Sequence, residues 1–133
     1  DEGCTTEVTP ETTHTYCGGA LLTFERLEAD DVESLRQPEN VALLDADKLT
    51  YPLTVRRWNE GDAFVPFGMD SRKKISDFLI NNKVSLPDKR RQFVVTSGND
   101  IVWVVGRRID DRYKVAPATE NVLRIVRETD VEI

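Results

Sequence analysis

Histidine, methionine and cysteine are scarce here: one, one and two among 133 residues. With His14 alone in a Thr-rich stretch, a histidine-based metal centre or a histidine-activated nucleophile has no second member. Cys4 and Cys17 allow one pairing, but they make neither a disulfide framework nor a zinc site and read as two reduced thiols. Met69 is the sole methionine, so Asp1 is not an ordinary translation start and the chain is expected to be a piece of something longer. Long apolar runs are missing too. None nears the roughly 18 residues of a membrane span, and no signal peptide precedes the fold, so a cytoplasmic location is expected. Internal repeats and linker-like tracts are also lacking. What remains, 39% hydrophobic and 32% charged, suits a soluble globular chain with a core of its own.

The net charge of −6 argues against a polyanionic partner until its distribution is read. Residues 1–50 hold 12 acids and 3 bases, residues 51–114 hold 8 acids and 13 bases, and residues 115–133 hold 4 acids and 2 bases. The middle of the chain is therefore basic. Affinity for phosphates follows local neutralisation, so that segment outweighs the total.

Taken in order, Asp1 to Glu11 reads as a frayed lead-in. Thr12 to Tyr16 and Ala20 to Leu27 alternate around the Gly18-Gly19 turn as a hairpin. Ala29 to Gln37 is expected to be a short helix with Val32 and Leu35 inward, ending at Pro38. Val41 to Leu44 is a compact buried strand, and Leu53 to Trp58 alternates as a half-buried one. Asn59 to Asp62 is a turn cluster. Phe64, Pro66 and Phe67 then make an irregular loop pinned by aromatic burial, with Gly68 at positive φ where it reverses. Ile75, Phe78 and Leu79 recur at helical spacing, so a short amphipathic helix spans about Lys74 to Asn82. Leu86-Pro87-Asp88 starts a tight turn or a single helical turn. Gln92 to Thr96 and Ile101 to Val105 form the clearest hairpin, linked by Ser97-Gly98-Asn99-Asp100. Tyr113 to Val115 pairs briefly, and Asn121 to Arg127 alternates as a last strand. The result is a strand-rich α+β domain with one good helix.

The pattern Gly61-Asp62-x-Phe64-x-Pro66-x-Gly68-Met69, followed by Lys73-Lys74-Ile75-Ser76-Asp77-Phe78-Leu79, resembles the C-terminal domain of tRNA(Ile)-lysidine synthetases. The likeness continues through Ile101 to Gly106, Arg108 to Val115 and Val122 to Ile125. It covers roughly Val41 to Ile125 and fades over the first forty residues. It implies a small β-sandwich or barrel-like sheet with one or two short flanking helices, akin to a domain of the phenylalanyl-tRNA synthetase β chain. Residues 41–133 then form the recognition domain, and residues 1–40 an acidic, strand-containing segment toward an absent catalytic domain. The family's C-terminal domain is implicated in recognising the tRNA acceptor stem. The whole enzyme uses ATP with magnesium to join lysine to the wobble cytidine of tRNA(Ile), and those sites would lie outside this chain.

Under that reading, Arg56, Arg57, Arg72, Lys73, Lys74, Lys83, Arg90, Arg91, Arg107, Arg108, Arg112, Tyr113 and Lys114 are the expected RNA contacts, the cations on phosphates and Tyr113 on a base. Trp58, Phe64, Phe67, Phe78, Phe93 and Trp103 are expected in the core. Ser97-Gly98-Asn99-Asp100 resembles a pyrophosphate loop but lacks its second glycine and final serine, so it reads as a hairpin turn. Asp110-Asp111 reads as a turn with one carboxylate pairing Arg108 or Arg112, not as a metal or acid–base pair. No catalytic residue and no cofactor is expected in this chain. The other partnership the sequence allows is protein docking, onto the enzyme's own catalytic domain or into a homodimer through the acidic half.

Overall fold

The computed structural model describes residues 4–128. Its strands are β1 (Thr5–Val8), β2 (His14–Cys17), β3 (Ala20–Glu28), β4 (Val41–Asp45), β5 (Leu53–Arg57), β6 (Ala63–Phe64) and β7 (Lys73–Lys74). After helices α1 (Ile75–Asn81) and α2 (Leu86–Arg90) come β8 (Phe93–Ser97), β9 (Asp100–Val104), β10 (Arg108–Ile109) and β11 (Asn121–Arg127). The strands make a five-stranded sheet ordered β1-β5-β8-β9-β10, a four-stranded sheet ordered β2-β3-β11-β4, and the small ribbon β6-β7. This is the α+β class expected, a mostly β architecture with two short flanking helices. No helix among the described residues is long and apolar enough to cross a membrane.

Two cores share the larger sheet. Its inner face, with Leu53, Val55, Phe93, Val95 and Trp103, packs on Leu22, Phe24, Leu44, Leu123 and Ile125 of the smaller sheet. Its outer face presents Val94, Ile101 and Val104 to Phe64 and to Ile75, Phe78 and Leu79 of α1. A strand covered on both faces needs apolar or hydrogen-bonded side chains throughout, and every residue of β8 is buried. Strict alternation would put Ile101 and Val104 on opposite faces. The register shift between Val95 and Thr96 inserts one extra residue in β9, so both face α1.

Four local expectations change. Thr5–Val8 is no frayed lead-in: its β-branched residues pair with β5, Thr6 opposite Val55 and Val8 opposite Leu53. The expected helix over Ala29 to Gln37 shrinks to a single 3-10 turn, Ala29–Asp31. Two apolar residues cannot anchor so short a helix, and Leu35 is 61% exposed. Tyr113 belongs to a second 3-10 turn, Asp111–Tyr113, whose start is capped by the Asp110 carboxylate accepting from Arg112 N–H, and not to a brief strand. Cys4 and Cys17 are joined in a disulfide, their Cα atoms 5.7 Å apart, and are not the two free thiols expected. β1 and β2 lie in different sheets, so the bridge ties the two layers together at one end.

Candidate nucleic-acid interface

The loop between β6 and β7 is held from across the molecule. Asp110 is fully buried, and its carboxylate accepts from Val65 N–H at 2.9 Å. It also accepts from Arg112 N–H at 2.8 Å, and from Arg112 Nε and Nη2 at 2.9 Å each. Asp111 N–H donates to the Val65 carbonyl at 2.7 Å, and Phe67 N–H to the Ile109 carbonyl at 3.0 Å. The Asp111 carboxylate accepts from Gly68 N–H at 3.0 Å. That amide, more than the nearby Lys114, holds the Asp111 carboxyl below the usual carboxylate range. Gly68 takes φ +90°, the positive value expected for the reversal. The turn Asp110-Asp111 is thus the clamp of the loop, with Asp110 paired to Arg112 as expected.

This clamp engages several expected RNA contacts. Hydrogen bonding to Asp110, foremost, keeps Arg112 charged above the ordinary guanidinium value. Tyr113 donates its hydroxyl to Asp100 at 2.8 Å. Burial, reinforced by that bond, pushes the phenol up to about 12. Lys114 pairs with Asp111 at 3.3 Å. Arg56 forks onto Asp62 at 2.9 and 3.2 Å, fixing the turn that precedes β6. Arg91 pairs with Asp88 at 3.0 Å on the exposed side of α2. The side chains of Arg56 and Arg112 act inside the fold, holding the turn before β6 and the clamp.

The remaining cations fall into two groups. Arg57 lies over the Phe93 ring, 5.6 Å from its centroid, and donates to the Arg90 carbonyl. Trp58 Nε1–H donates to the Lys89 carbonyl at 2.7 Å, so α2 is tied to the end of β5 through its backbone and its charged side chains stay outward. Arg107 Nε donates to Gln92 Oε1 at 2.7 Å, while Gln92 is itself locked to the Phe93 and Val105 carbonyls. Arg108 stacks on Phe78 at 5.4 Å. Arg72, Lys73 and Lys74 form the second group, on and before β7. Lys83 follows α1 at φ +58°. Among the described residues no carboxylate pairs with Arg57, Arg72, Lys73, Lys74, Lys83, Arg90, Arg107 or Arg108.

Two clefts run along this side and share Arg107 and Glu39 as walls. One, of about 660 Å³, is lined by Gly18, Phe93, Gln92, Arg91, Arg107 and Arg127 with Asp88 and Glu39. The other, of about 700 Å³, brings Arg36, Arg107, Arg108 and Lys114 around Leu35, Phe67, Ile109 and Val115. Arg36 and Arg127 were not readable as site residues, because both lie in segments of net negative charge. Phe67, expected in the core, is 51% exposed, whereas Phe64, Phe78, Phe93 and Trp103 are buried as expected. Ser97 to Asp100 is a hairpin connection, with Gly98 and Asn99 alone outside the strands. Among the described residues no three metal-ligating side chains gather.

A family model described as the TilS substrate C-terminal domain matches residues 53–126. The chain is 44% identical over 102 residues to a tRNA(Ile)-lysidine synthase of Parabacteroides distasonis, covering 77% of this chain and 23% of that protein. It is 41% identical over 103 residues to a tRNA(Ile)-lysidine synthase of Bacteroides thetaiotaomicron, covering 77% and 24%. The chain therefore spans about a quarter of the length of these curated relatives. A solved TilS C-terminal domain superposes with TM-score 0.74 at 19% identity, covering 86% of this chain and 88% of that one. An N-terminal fragment of the phenylalanyl-tRNA synthetase β-subunit of Pyrococcus horikoshii gives TM-score 0.56 at 16% identity, covering 65% and 27%. Both likenesses speak to the fold, and both agree with the architecture implied by the sequence resemblance.

Proposed function

The chain belongs to the family of the TilS substrate C-terminal domain, and from that premise we propose that it is the tRNA-recognition module of a tRNA(Ile)-lysidine synthase. Its task is to hold the acceptor stem by the phosphates. The observation that carries this reading is the charge of the two clefts: Arg36, Arg91, Arg107, Arg108, Lys114 and Arg127 line them against Glu39 and Asp88 alone. In a chain of net charge −6, such a concentration on one side is a footprint for a polyanion. Lys89 and Arg90 on α2 extend it, and Arg72, Lys73 and Lys74 supply a second point of contact. The phosphate contacts would position the duplex without reading its sequence.

In the whole enzyme, ATP with magnesium would activate the wobble cytidine of tRNA(Ile) and lysine would be joined to it in the catalytic part. That part is then this module's covalent neighbour and its protein partner. The module itself orients the substrate and takes no chemical step.

The test is fluorescence anisotropy of isoleucine tRNA with this chain across salt. Binding through about six phosphates should lose roughly three decades of affinity between 50 and 200 mM salt. Arg90→Ala combined with Arg107→Ala should weaken all tRNAs alike and lower the salt slope by about one to two units. An affinity that ignores salt, or variants that bind tRNA normally but no longer associate with the catalytic part, would replace this reading with a protein-docking module.

A further inference from the structure

Phe67 and Tyr16 are the aromatics left mostly exposed among the described residues, and Phe67 is the one that lines the 700 Å³ cleft. The residue is 51% exposed, yet its backbone is held by hydrogen bonds from across the molecule. The Phe67 amide donates to Ile109, the next amide to Asp111, and Met69 N–H to the Pro66 carbonyl at 2.9 Å. Two residues earlier, Val65 N–H is fixed on the buried Asp110 carboxylate. A loop that needed only to close would turn this ring inward or use a polar residue. Instead a flat apolar face is displayed on a rigid mount, where ordering it costs little when something stacks on it.

The cleft around that ring combines apolar walls with cations. Phe67 lines the 700 Å³ cleft together with Leu35, Arg36, Arg107, Arg108 and Lys114. Leu35 is 61% exposed and gives a second apolar wall. Arg108 is stacked on Phe78, and Arg107 is held through Nε to Gln92, its terminal nitrogens making no hydrogen bond among the described residues. Glu39 is the one carboxylate among the lining residues. An exposed aromatic face in a cleft whose walls also carry Arg36, Arg107, Arg108 and Lys114 offers an unstacked nucleotide a platform for its base and cations for its phosphates. An apolar peptide would find the ring but would bring no counter-charge to the cleft's four cations, of which Lys114 alone pairs with a carboxylate among the described residues. The adjoining cleft shares Arg107, so an RNA backbone lying there would deliver its unpaired end to Phe67.

We infer that this cleft is a pocket for single-stranded nucleotides at the end of an RNA duplex, with the Phe67 ring as the stacking surface. The inference rests on the proposed RNA-binding function and adds to it a site for unpaired residues, which the phosphate contacts alone do not provide. It is tested with this chain and two RNA hairpins of the same stem, one blunt and one carrying a four-nucleotide 3′ overhang with 2-aminopurine in the overhang. The expected result is tighter binding of the overhung hairpin, with quenching of the 2-aminopurine as its base stacks. Phe67→Ala should reduce the overhang preference by about fivefold to a hundredfold, the range seen when a base-stacking aromatic is truncated, and Phe67→Trp should keep it. Equal affinity for both hairpins with unquenched 2-aminopurine overturns the inference while leaving the duplex-binding reading standing. Failure to bind either hairpin sinks both. Since the quenching is read on the unmodified chain, the conclusion does not depend on how well a variant folds.

Discussion

Replacing Arg112 with leucine separates an internal role for this side chain from an RNA contact. Asp110 is fully buried and accepts four hydrogen bonds, two of them from the Arg112 guanidinium and two from backbone amides. Removing one partner of a buried pair typically costs about 3–5 kcal/mol when the remaining charge is left uncompensated. Here the amides of Val65 and residue 112 stay in place. The Arg112 side chain is also 36% exposed, so water can enter where it leaves. Each lost bond to a charged group is worth about 1.5–3 kcal/mol before that relaxation, which brings the expected loss to about 2–3 kcal/mol. In a domain of this size that lowers the melting temperature by about 10 °C. The assay is thermal and urea unfolding of Arg112→Leu, Asp110→Asn and the double variant. The double variant should be destabilised by less than the sum of the singles, because both remove the same bonds. A melting point within 2 °C of the parent, together with weakened tRNA binding, would refute the clamp and return Arg112 to the RNA surface.

Other outcomes follow from the same geometry. A Cβ on Gly18 would stand 2.4 Å from Cζ of Phe93 at φ +59°, whereas one on Gly68 would meet nothing within 4 Å. Gly68→Val should therefore cost about 1–3 kcal/mol of backbone strain, and Gly18→Ala that kind of strain plus overpacking of about 1–3 kcal/mol, both read by urea unfolding. Equal stability of parent and Gly18→Ala would mean the Phe93 ring yields freely. The Tyr113 phenol is pushed up to about 12 from an ordinary value near 10. Because the folded value lies above the unfolded one, the stability it contributes is whole below about pH 10 and drains away as pH rises toward 12. The ultraviolet difference titration between parent and Tyr113→Phe should show a phenolate appearing near pH 12; one appearing near 10 would contradict the Asp100 bond. The Cys4–Cys17 bridge closes a loop of sequence separation 13. Its reduction should lower stability by about 3 kcal/mol, and a thiol reagent should find no reactive cysteine before reductant is added.

Much of this architecture could be read from side-chain period and turn chemistry. The alternation of Leu53 to Arg57 and the helical spacing of Ile75, Phe78 and Leu79 are local properties that burial then follows, whereas in Asn121–Arg127 the adjacent Val122 and Leu123 are both buried. Gly68 announces a positive φ because it stands between Phe67 and Met69, where a loop pinned by aromatic burial reverses. The failures are of a different sort. Thr5–Val8 looked like a tail because its partner lies nearly fifty residues away. The bulge in β9 hides behind an unbroken apolar run that reads the same with or without it. Tyr113 looks like a base contact because Asp100 reaches its hydroxyl only once the chain has folded back, whereas the Asp110–Arg112 pair, two residues apart, is local and legible in the sequence. Phe67 reads as core beside Phe64 and Phe78, which are core, and sequence spacing does not report which ring of an irregular loop faces out. Arg36 and Arg127 join the basic clefts from acidic surroundings, so no charge count along the chain could have nominated them.

The order β2-β3-β11-β4 leaves a vacancy in the smaller sheet that the sequence fills late. β3 and β4 follow one another closely along the chain but never touch as neighbours; β11 runs antiparallel to both, Ile125 opposite Phe24 on one side and Ala42 on the other. While the chain is being synthesised, the N-terminal hairpin and β4 must wait, their edges open, for a strand that emerges some eighty residues afterwards. The inner core between the layers can close only then, since Leu123 and Ile125 are part of it. Such long-range closure makes folding slow relative to a helical domain of equal size, and the waiting edges are the surfaces through which a truncated or stalled chain would aggregate.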